Sequence, residues 1–369
     1  MFKTDILFTG FYGYTNTGDD AFVEVASWGA NEIWNKSNIR FLAKNNQLPI
    51  TVNKTKAYPF KIARTYSKQM DLLLSNTSYL ISAGGSTIHS KMVPTNPKEK
   101  AIKLKKFGKS IKIGGIGVSI GPFKTVEDEK AVIEYLKQID FLALRDKASF
   151  DFVSSLSLPY APIQAFDLAA LLPDIYNYNF LGRKMEKNVI GVSVCNYESF
   201  QNGMDKYLEK KRNLMIVDLI KKLDLLEDLH FKFYVINGNE KIGDRNLTIE
   251  TIKLSQPKSF EIIEYNKETQ LIWKSISDCD FIISTRLHAA IFACFSNTPF
   301  MLNEYHRKCG DFLNDVGYEK SYRLYNSNYD IDEKAMQIIE ILNGNSYIKP
   351  KFLDETKELA KLNFTKITL

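Results

Sequence analysis

The stretch Ile6–Ala21, ILFTGFYGYTNTGDDA, decides how this chain is read. An apolar strand-like run ends in a glycine-spaced turn and passes into a helix start, which is how a nucleotide-binding α/β unit opens. The phosphate grip of such a unit is missing. Gly10, Gly13 and Gly18 do not have GxGxxG spacing, and no Gly-Lys-Ser/Thr ending follows. Thr17 to Asp20 instead fits the T-x-x-D form of a helix N-cap, followed by Phe22, Val25, Ala26, Gly29 and Ile33 on one helical face. Asp19 and Asp20 then fall in the first turn, where the macrodipole favours negative charge. Two readings of them stay open: caps alone, or a carboxylate at a strand C-terminus that binds or deprotonates a sugar hydroxyl. Carboxylates at that place repel phosphate, so the loop suits a neutral sugar better than a nucleotide. Asn16 and Gly18 of the same loop are candidate substrate contacts.

Outward from this stretch, short apolar runs alternate with helical patterns. ILFTG, IRFLAK, YLISAGG, KIGGIGV and FLALRD read as strands, with helices over about 21–34, 61–74 and 127–138. Strands that are apolar along their whole length belong to a parallel sheet covered on both faces. The polar stretch LLPDIYNYNFLGRKMEKN interrupts the alternation, which restarts at NVIGVSVCN and continues through a helix over about 204–226, FKFYVING, FEIIEY, DFIISTR, a helix through Ala289–Cys294, and PFMLNEY. The expected fold is α/β, with two Rossmann-like doubly wound domains whose strand C-termini face a shared cleft. Their limits are 1–178 and 188–345, with a C-terminal helix over 346–369.

The bulk composition is compatible with this. A chain of 369 residues, 44 % hydrophobic, can fill two cores. A net charge of +6 is too weak to imply nucleic acid and suits an anionic small substrate. Cys195, Cys279, Cys294 and Cys309 show no CxxC spacing, so neither a zinc site nor a disulfide framework is suggested. No signal-peptide h-region and no transmembrane-length apolar run is seen, so a soluble, cytoplasmic protein is expected.

Three further segments hold candidate site residues. In ISAGGSTIHS, Gly84 and Gly85 would let backbone N–H groups approach a ligand, with Ser86 and His89 beside them, although His89 also reads as an ordinary loop histidine. In FIISTRLHAAIFACF, a buried strand delivers Arg286 and His288 to a helix N-terminus. An arginine there can hold a carboxylate or phosphate bidentately, and a neighbouring histidine can exchange a proton with the same ligand. The competing reading is a buried Arg286 paired with an aspartate of its own domain, such as Asp278 or Asp280, with His288 as a core histidine. Arg145, in FLALRDKAS, repeats the strand-to-arginine arrangement, with an ion pair to Asp146 or Asp167 as its alternative.

Together these pieces resemble the polysaccharide pyruvyl transferases. The resemblance runs through FTGFYGYTNTGDDA, SAGGSTIHS, GGIGVSIGP, LRDKAS, FDLAALLP and, most specifically, STRLHAAIFACFSNTPF followed by YHRK and FLNDVG, over roughly residues 5 to 320. It departs from the family at Ala83-Gly84-Gly85-Ser86, where a third glycine is common, and at YHRK, where the family has a Tyr-Asp-x-Lys-like run. The resemblance implies a fold like that of B-type glycosyltransferases and transfer of the pyruvyl group of phosphoenolpyruvate to a sugar as a cyclic ketal. It implies that the first domain is the acceptor side and the second the phosphoenolpyruvate side, with Arg286, Arg145 and Lys308 as cationic contacts for phosphoenolpyruvate, His288 as the general acid, and Asp19 or Asp20 as the group that orients or deprotonates the acceptor. Neither a metal nor a cofactor is expected. The same fold would also serve a sugar-nucleotide glycosyltransferase or a non-catalytic carbohydrate-binding relative.

The segment KEKAIKLKKFGKSIK, residues 98–112, holds seven lysines against Glu99 with apolar residues interleaved. It reads as a solvated helix face or as a foot on the anionic inner face of a membrane, where a lipid-linked glycan acceptor would sit.

Overall fold

The computed structural model describes residues 3–43, 47–58, 65–177, 187–200, 205–345 and 347–369. The expected domain boundary, near residues 173 to 188, falls largely on residues 178–186, which lie outside the described residues, as do residue 346 and the starts of the helices expected at Lys61 and Met204.

The chain forms two compact units. The first comprises residues 1–14, 19–175 and 354–369, and the second 15–18 and 176–353. In the first unit the order is β1 (Thr4–Thr9), α1 (Thr17–Glu32, whose first two residues count with the second unit), β2 (Ile39–Phe41), α2 (Tyr66–Ser75), β3 (Thr77–Ile88), α3 (Pro97–Lys106), β4 (Lys112–Ile120), α4 (Val126–Leu136), β5 (Phe141–Leu144), α5 (Lys147–Ser154), β6 (Ile163–Gln164) and α6 (Leu172–Tyr176). The second unit holds β7 (Val189–Ser193), α7 (Lys206–Leu226), β8 (His230–Tyr234), α8 (Arg245–Ser255), β9 (Phe260–Ile263), α9 (Thr269–Ser277), β10 (Phe281–Ser284), α10 (Leu287–Phe295), β11 (Phe300–Leu302), α11 (Arg307–Asp315) and α12 (Ile331–Leu342). The last helix, α13 (Leu353–Thr365), belongs almost wholly to the first unit.

Both sheets are parallel. The first is ordered β2-β1-β3-β4-β5-β6 and the second β11-β10-β7-β8-β9. Every residue of β7, β10 and β11 is buried, as a sheet covered on both faces requires. In each sheet the strand order reverses once, between β1 and β3 in the first and between β7 and β10 in the second. Ligands of doubly wound folds bind at such reversals, outside the strand C-termini. The registers Thr9↔Ser82 and Ser284↔Ser193 fix which residues emerge there.

Helix starts follow the chemistry of their caps. Asn96, Thr125, Asp146 and Asp330 each accept a backbone N–H in the first turn of the helix that follows. The C-terminal helix, expected to stand as a separate element, is part of the first core. The Trp34 indole donates to the carbonyls of Phe364 and Ile367 at 3.0 Å, and the Phe364 ring lies so close to Gly29 that a β-carbon there would sit 2.1 Å from it.

Candidate functional site

The crevice at the β7/β10 reversal gathers the best chemistry of the second unit. β10 ends at Ser284, whose hydroxyl donates to the Arg286 carbonyl at 2.7 Å and so turns the chain into α10. Arg286 occupies the N-cap position of α10 without capping it, and His288 is the second residue of the helix. Arg286 does pair with an aspartate of its own unit, as the competing reading has it, but that aspartate is Asp244 and not Asp278 or Asp280. Its Nε donates to both Asp244 oxygens, at 3.0 and 2.9 Å, and Nη2 donates to Oδ1. Asp280 instead accepts the Val189 N–H at 2.7 Å. Asp244 is 1 % exposed, and its Oδ2 also accepts the Asn237 N–H. Burial pushes the Asp244 carboxyl up and Arg286 holds it down, while burial opposes the charge on Arg286 and is outweighed by Cys195 and Asp244, so the guanidinium stays charged. Nη1 is left clear of this clamp and makes no hydrogen bond to the described residues.

The loop of the opening stretch joins this unit. Thr17 donates its backbone N–H and its hydroxyl to the Ile236 carbonyl at 3.0 and 3.1 Å, Gly238 donates to the Thr15 carbonyl at 2.8 Å, and Asn16 bridges to Asn237. The helix cap is therefore Asn16, whose Oδ1 accepts the Gly18 N–H at 3.0 Å, and not Thr17 as the T-x-x-D pattern suggests. Thr15 has a φ of 58°, a left-handed value rare for a β-branched residue, which these bonds hold in place. The consequence is a close approach: a β-carbon on Gly18 would lie 2.1 Å from Nδ1 of His288. Gly18 thus supports the histidine with its backbone.

Arg212, Asp244, Tyr305 and His306 at this crevice were not singled out in the sequence. Arg286, Lys308 and Arg212 all act electrostatically on the Cys195 thiol, which burial pushes up and these cations pull down. The Lys308 ammonium lies 5.7 Å from the Tyr305 ring centre, and Arg212 lies over the same ring at 5.1 Å while bound by both nitrogens to Glu198. His306 caps α11 by accepting the Lys308 N–H through Nδ1, and burial, Lys308 and Arg307 lower its pKa to about 4. Asp244 sits in a loop with no pattern of its own, but His306 and Tyr305 stand in the YHRK run, where a histidine at a helix start is a readable signal.

The first-unit candidates separate. Arg145 is buried, with Nη1 on Asp167 at 2.9 Å, Nε on the Ser119 hydroxyl at 2.7 Å and Nη2 toward Ser86 at 3.4 Å, so the ion-pair alternative describes its position. Gly84 and Gly85 have φ near +75°, and a β-carbon on Gly84 would collide with the Phe22 ring at 2.3 Å, which gives that glycine an internal packing reason. Asp20 is fully buried and Asp19 half-buried. His89 donates through Nδ1 to the Ser86 carbonyl at 2.9 Å and lines a cavity of about 320 Å³ at the ends of β1 and β3. Among the lysines of 98–112, Lys98 and Lys100 are buried, and Lys105 and Lys112 both pair with Asp140. Among the described residues no helix is long and apolar enough to cross a membrane, and no group of three or more His, Cys, Asp or Glu could hold a metal ion.

The family model of polysaccharide pyruvyl transferase matches residues 16–307. No curated protein matches the chain in sequence. Among solved structures, UDP-GlcNAc 2-epimerase from Methanocaldococcus jannaschii is similar at a TM-score of 0.60 and 12 % identity, covering 97 % of this chain and 98 % of that one. A putative UDP-N-acetylglucosamine 2-epimerase from Listeria monocytogenes gives 0.59 at 8 % identity, covering 98 % and 94 %. A glycosyltransferase from Rickettsia africae gives 0.53 at 12 %, covering 98 % and 94 %. At these identities the likeness concerns the fold alone, which is that of the B-type glycosyltransferases.

Proposed function

Because the chain belongs to the polysaccharide pyruvyl transferase family, we propose that it moves the pyruvyl group of phosphoenolpyruvate onto a sugar of a polysaccharide or its precursor as a cyclic ketal, releasing phosphate. The observation that carries this reading is the pairing of a clamped, charged Arg286 with His288 on the first turn of one helix at the β7/β10 reversal. Phosphoenolpyruvate brings a carboxylate and a phosphate. Arg286 and Lys308 supply fixed cations for them, and the first-turn N–H groups of α10 add donors of the same sign.

His288 then protonates C3 of the enol, leaving C2 an oxocarbenium-like electrophile. A sugar hydroxyl attacks C2, forming a C–O bond and losing its proton to a carboxylate, for which Asp19 is the half-buried candidate of the pair. The bond from C2 to the phosphate oxygen breaks, phosphate leaves with the electron pair, and a second hydroxyl closes the ketal as its proton passes to a base. Arg145, with its three guanidinium nitrogens engaged inside the first unit, supports that core rather than the donor. Use of phosphoenolpyruvate sets the reaction in the cytoplasm. The face that would meet an anionic membrane is reduced to Lys103, Lys106 and Lys109 around Phe107, which is 85 % exposed.

The test is the thermal midpoint with phosphoenolpyruvate, UDP, GDP or phosphate, for the wild type and Arg286→Ala. A ligand at 100 times its Kd adds about 2.7 kcal/mol. Stabilisation by phosphoenolpyruvate that is lost in the variant supports the reading. Stabilisation by a nucleotide alone transfers the protein to the sugar-nucleotide glycosyltransferases.

A further inference from the structure

The reversal between β1 and β3 in the first unit holds a cavity of its own. The cavity of about 320 Å³ there opens at Thr9, Gly10 and Phe11 after β1 and at Thr87 and His89 after β3, and Lys98 from α3 reaches it. Lys98 is 5 % exposed. Its ammonium donates to the Thr87 carbonyl at 3.1 Å and to the Thr87 hydroxyl at 3.3 Å, and it forms no ion pair with a described carboxylate. An ammonium has three N–H donors, and a buried charge without a counterion is costly, so native proteins pair it. The contrast lies two residues on, where the equally buried Lys100 has Asp71 as its partner.

Among the described residues no aspartate or glutamate lines the cavity, whereas Lys91 and His89 do. The nearby Asp128 is engaged outside the cavity, its carboxylate accepting the Lys91 N–H at 2.9 Å and the Thr125 hydroxyl at 3.1 Å. The N-terminal end of α3 faces the same space through Asn96, which lines it. A cavity lined by these groups and reached by a buried ammonium suits an anionic ligand.

We propose that this cavity binds the phosphoryl group of a glycosyl phosphate, with Lys98 as its buried counterion and His89 and Lys91 at the rim. The identification of the ligand rests on the ketal-transfer reading. Phosphoenolpyruvate carries two anionic groups, and that reading assigns both to the second unit, so an anion held here belongs to the other substrate. The sugar acceptor would then be presented as a phosphate ester, not as a neutral glycan. The side chain that recognises it is one the sequence hides inside a lysine-rich helix.

The experiment is calorimetric titration of the full chain with glucose 1-phosphate, glucose and phosphoenolpyruvate, for the wild type, Lys98→Met, Thr87→Val and Arg286→Ala. Expected is glucose 1-phosphate binding to the wild type and equally to Arg286→Ala, at least tenfold weaker binding to Lys98→Met, a smaller loss in Thr87→Val, and no binding of glucose. Absence of glucose 1-phosphate binding to the wild type, or binding undiminished in Lys98→Met, overturns the site. Phosphoenolpyruvate binding that depends on Lys98 and not on Arg286 overturns the assignment to the acceptor. Pelleting with phosphatidic acid vesicles that needs Lys98, without glucose 1-phosphate binding, overturns it in favour of a lipid headgroup. Failure of the ketal-transfer reading registers separately, as absence of phosphoenolpyruvate binding in every variant.

Discussion

The imidazole of His288 rests on the backbone of Gly18, so that a methyl group at that α-carbon would lie 2.1 Å from Nδ1 and 2.4 Å from Cγ. Gly18→Ala is expected to push the ring aside by about 1 Å, and a displacement of that size costs on the order of 10²-fold in rate. The signature is a fall in kcat with the Kd for phosphoenolpyruvate unchanged, because Arg286 and Lys308 are untouched. A variant with unaltered kcat would remove His288 from the chemistry.

Asp244 answers for the charge of Arg286. Asp244→Ala would leave a guanidinium with only 18 % of its side chain exposed and no carboxylate against it, and breaking such a pair costs about 3–5 kcal/mol. Chemical denaturation should show that loss. The double variant Asp244→Ala, Arg286→Met should recover part of it, since the second change removes the stranded charge. Equal stability of the single and double variants would mean that the pair is not coupled.

How much of this was legible follows from which interactions are local. The alternation of apolar runs and helices gave both parallel sheets, because a strand buried on two faces shows its burial in its own residues, as FIIS and VIGVS do. Arg286 and His288 were legible because strand, turn and helix start are contiguous. The partner of Arg286 was not, since Asp244 stands 42 residues away and is selected by the β8 loop rather than by spacing. Nor was the membership of Thr15 to Gly18 in the second unit, which depends on pairing with Ile236 and Gly238. The two-residue strand β6 is too short for any periodicity to mark it. Lys98 and Lys100 were hidden for a related reason: a lysine-rich helix looks solvated until the groups waiting for its ammoniums are known.

Two histidines stand near the proposed donor site, and their titration separates them. The His306 pKa is lowered to about 4 by burial, then by Lys308 and Arg307, so it is neutral at ordinary assay pH and unsuited to act as general acid there. Its folded pKa lies below the unfolded value near 6.5, so the native state binds fewer protons between pH 6.5 and 4. Stability contributed by the neutral ring is complete above pH 6.5 and is lost as the pH falls toward 4. NMR titration should find one imidazole with a midpoint near 4, unmoved by His288→Ala. The His288 resonance, in contrast, is expected to shift its midpoint upward on binding phosphoenolpyruvate, whose negative charges favour the imidazolium. No upward shift would count against its role as acid.

Lys98 sets stability against binding. Burial lowers its pKa from 10.5 to about 8, so at neutral pH the folded protein carries a desolvated charge. Below pH 8 both states hold the proton and the cost is complete. Between pH 8 and 10.5 the folded state has released it while the unfolded state has not, so this contribution makes the wild type more stable as pH rises. At 1.36 kcal/mol per unit the shift corresponds to about 3 kcal/mol. Lys98→Met fills the same space without the charge and is expected to raise the thermal midpoint at pH 7, with the advantage over the wild type shrinking toward pH 10. A glycosyl phosphate should narrow the gap from the other direction, by stabilising the wild type and leaving the variant unchanged. If Lys98→Met is less stable than the wild type at pH 7 without ligand, the ammonium is already neutralised within the folded protein and the anion-binding proposal fails.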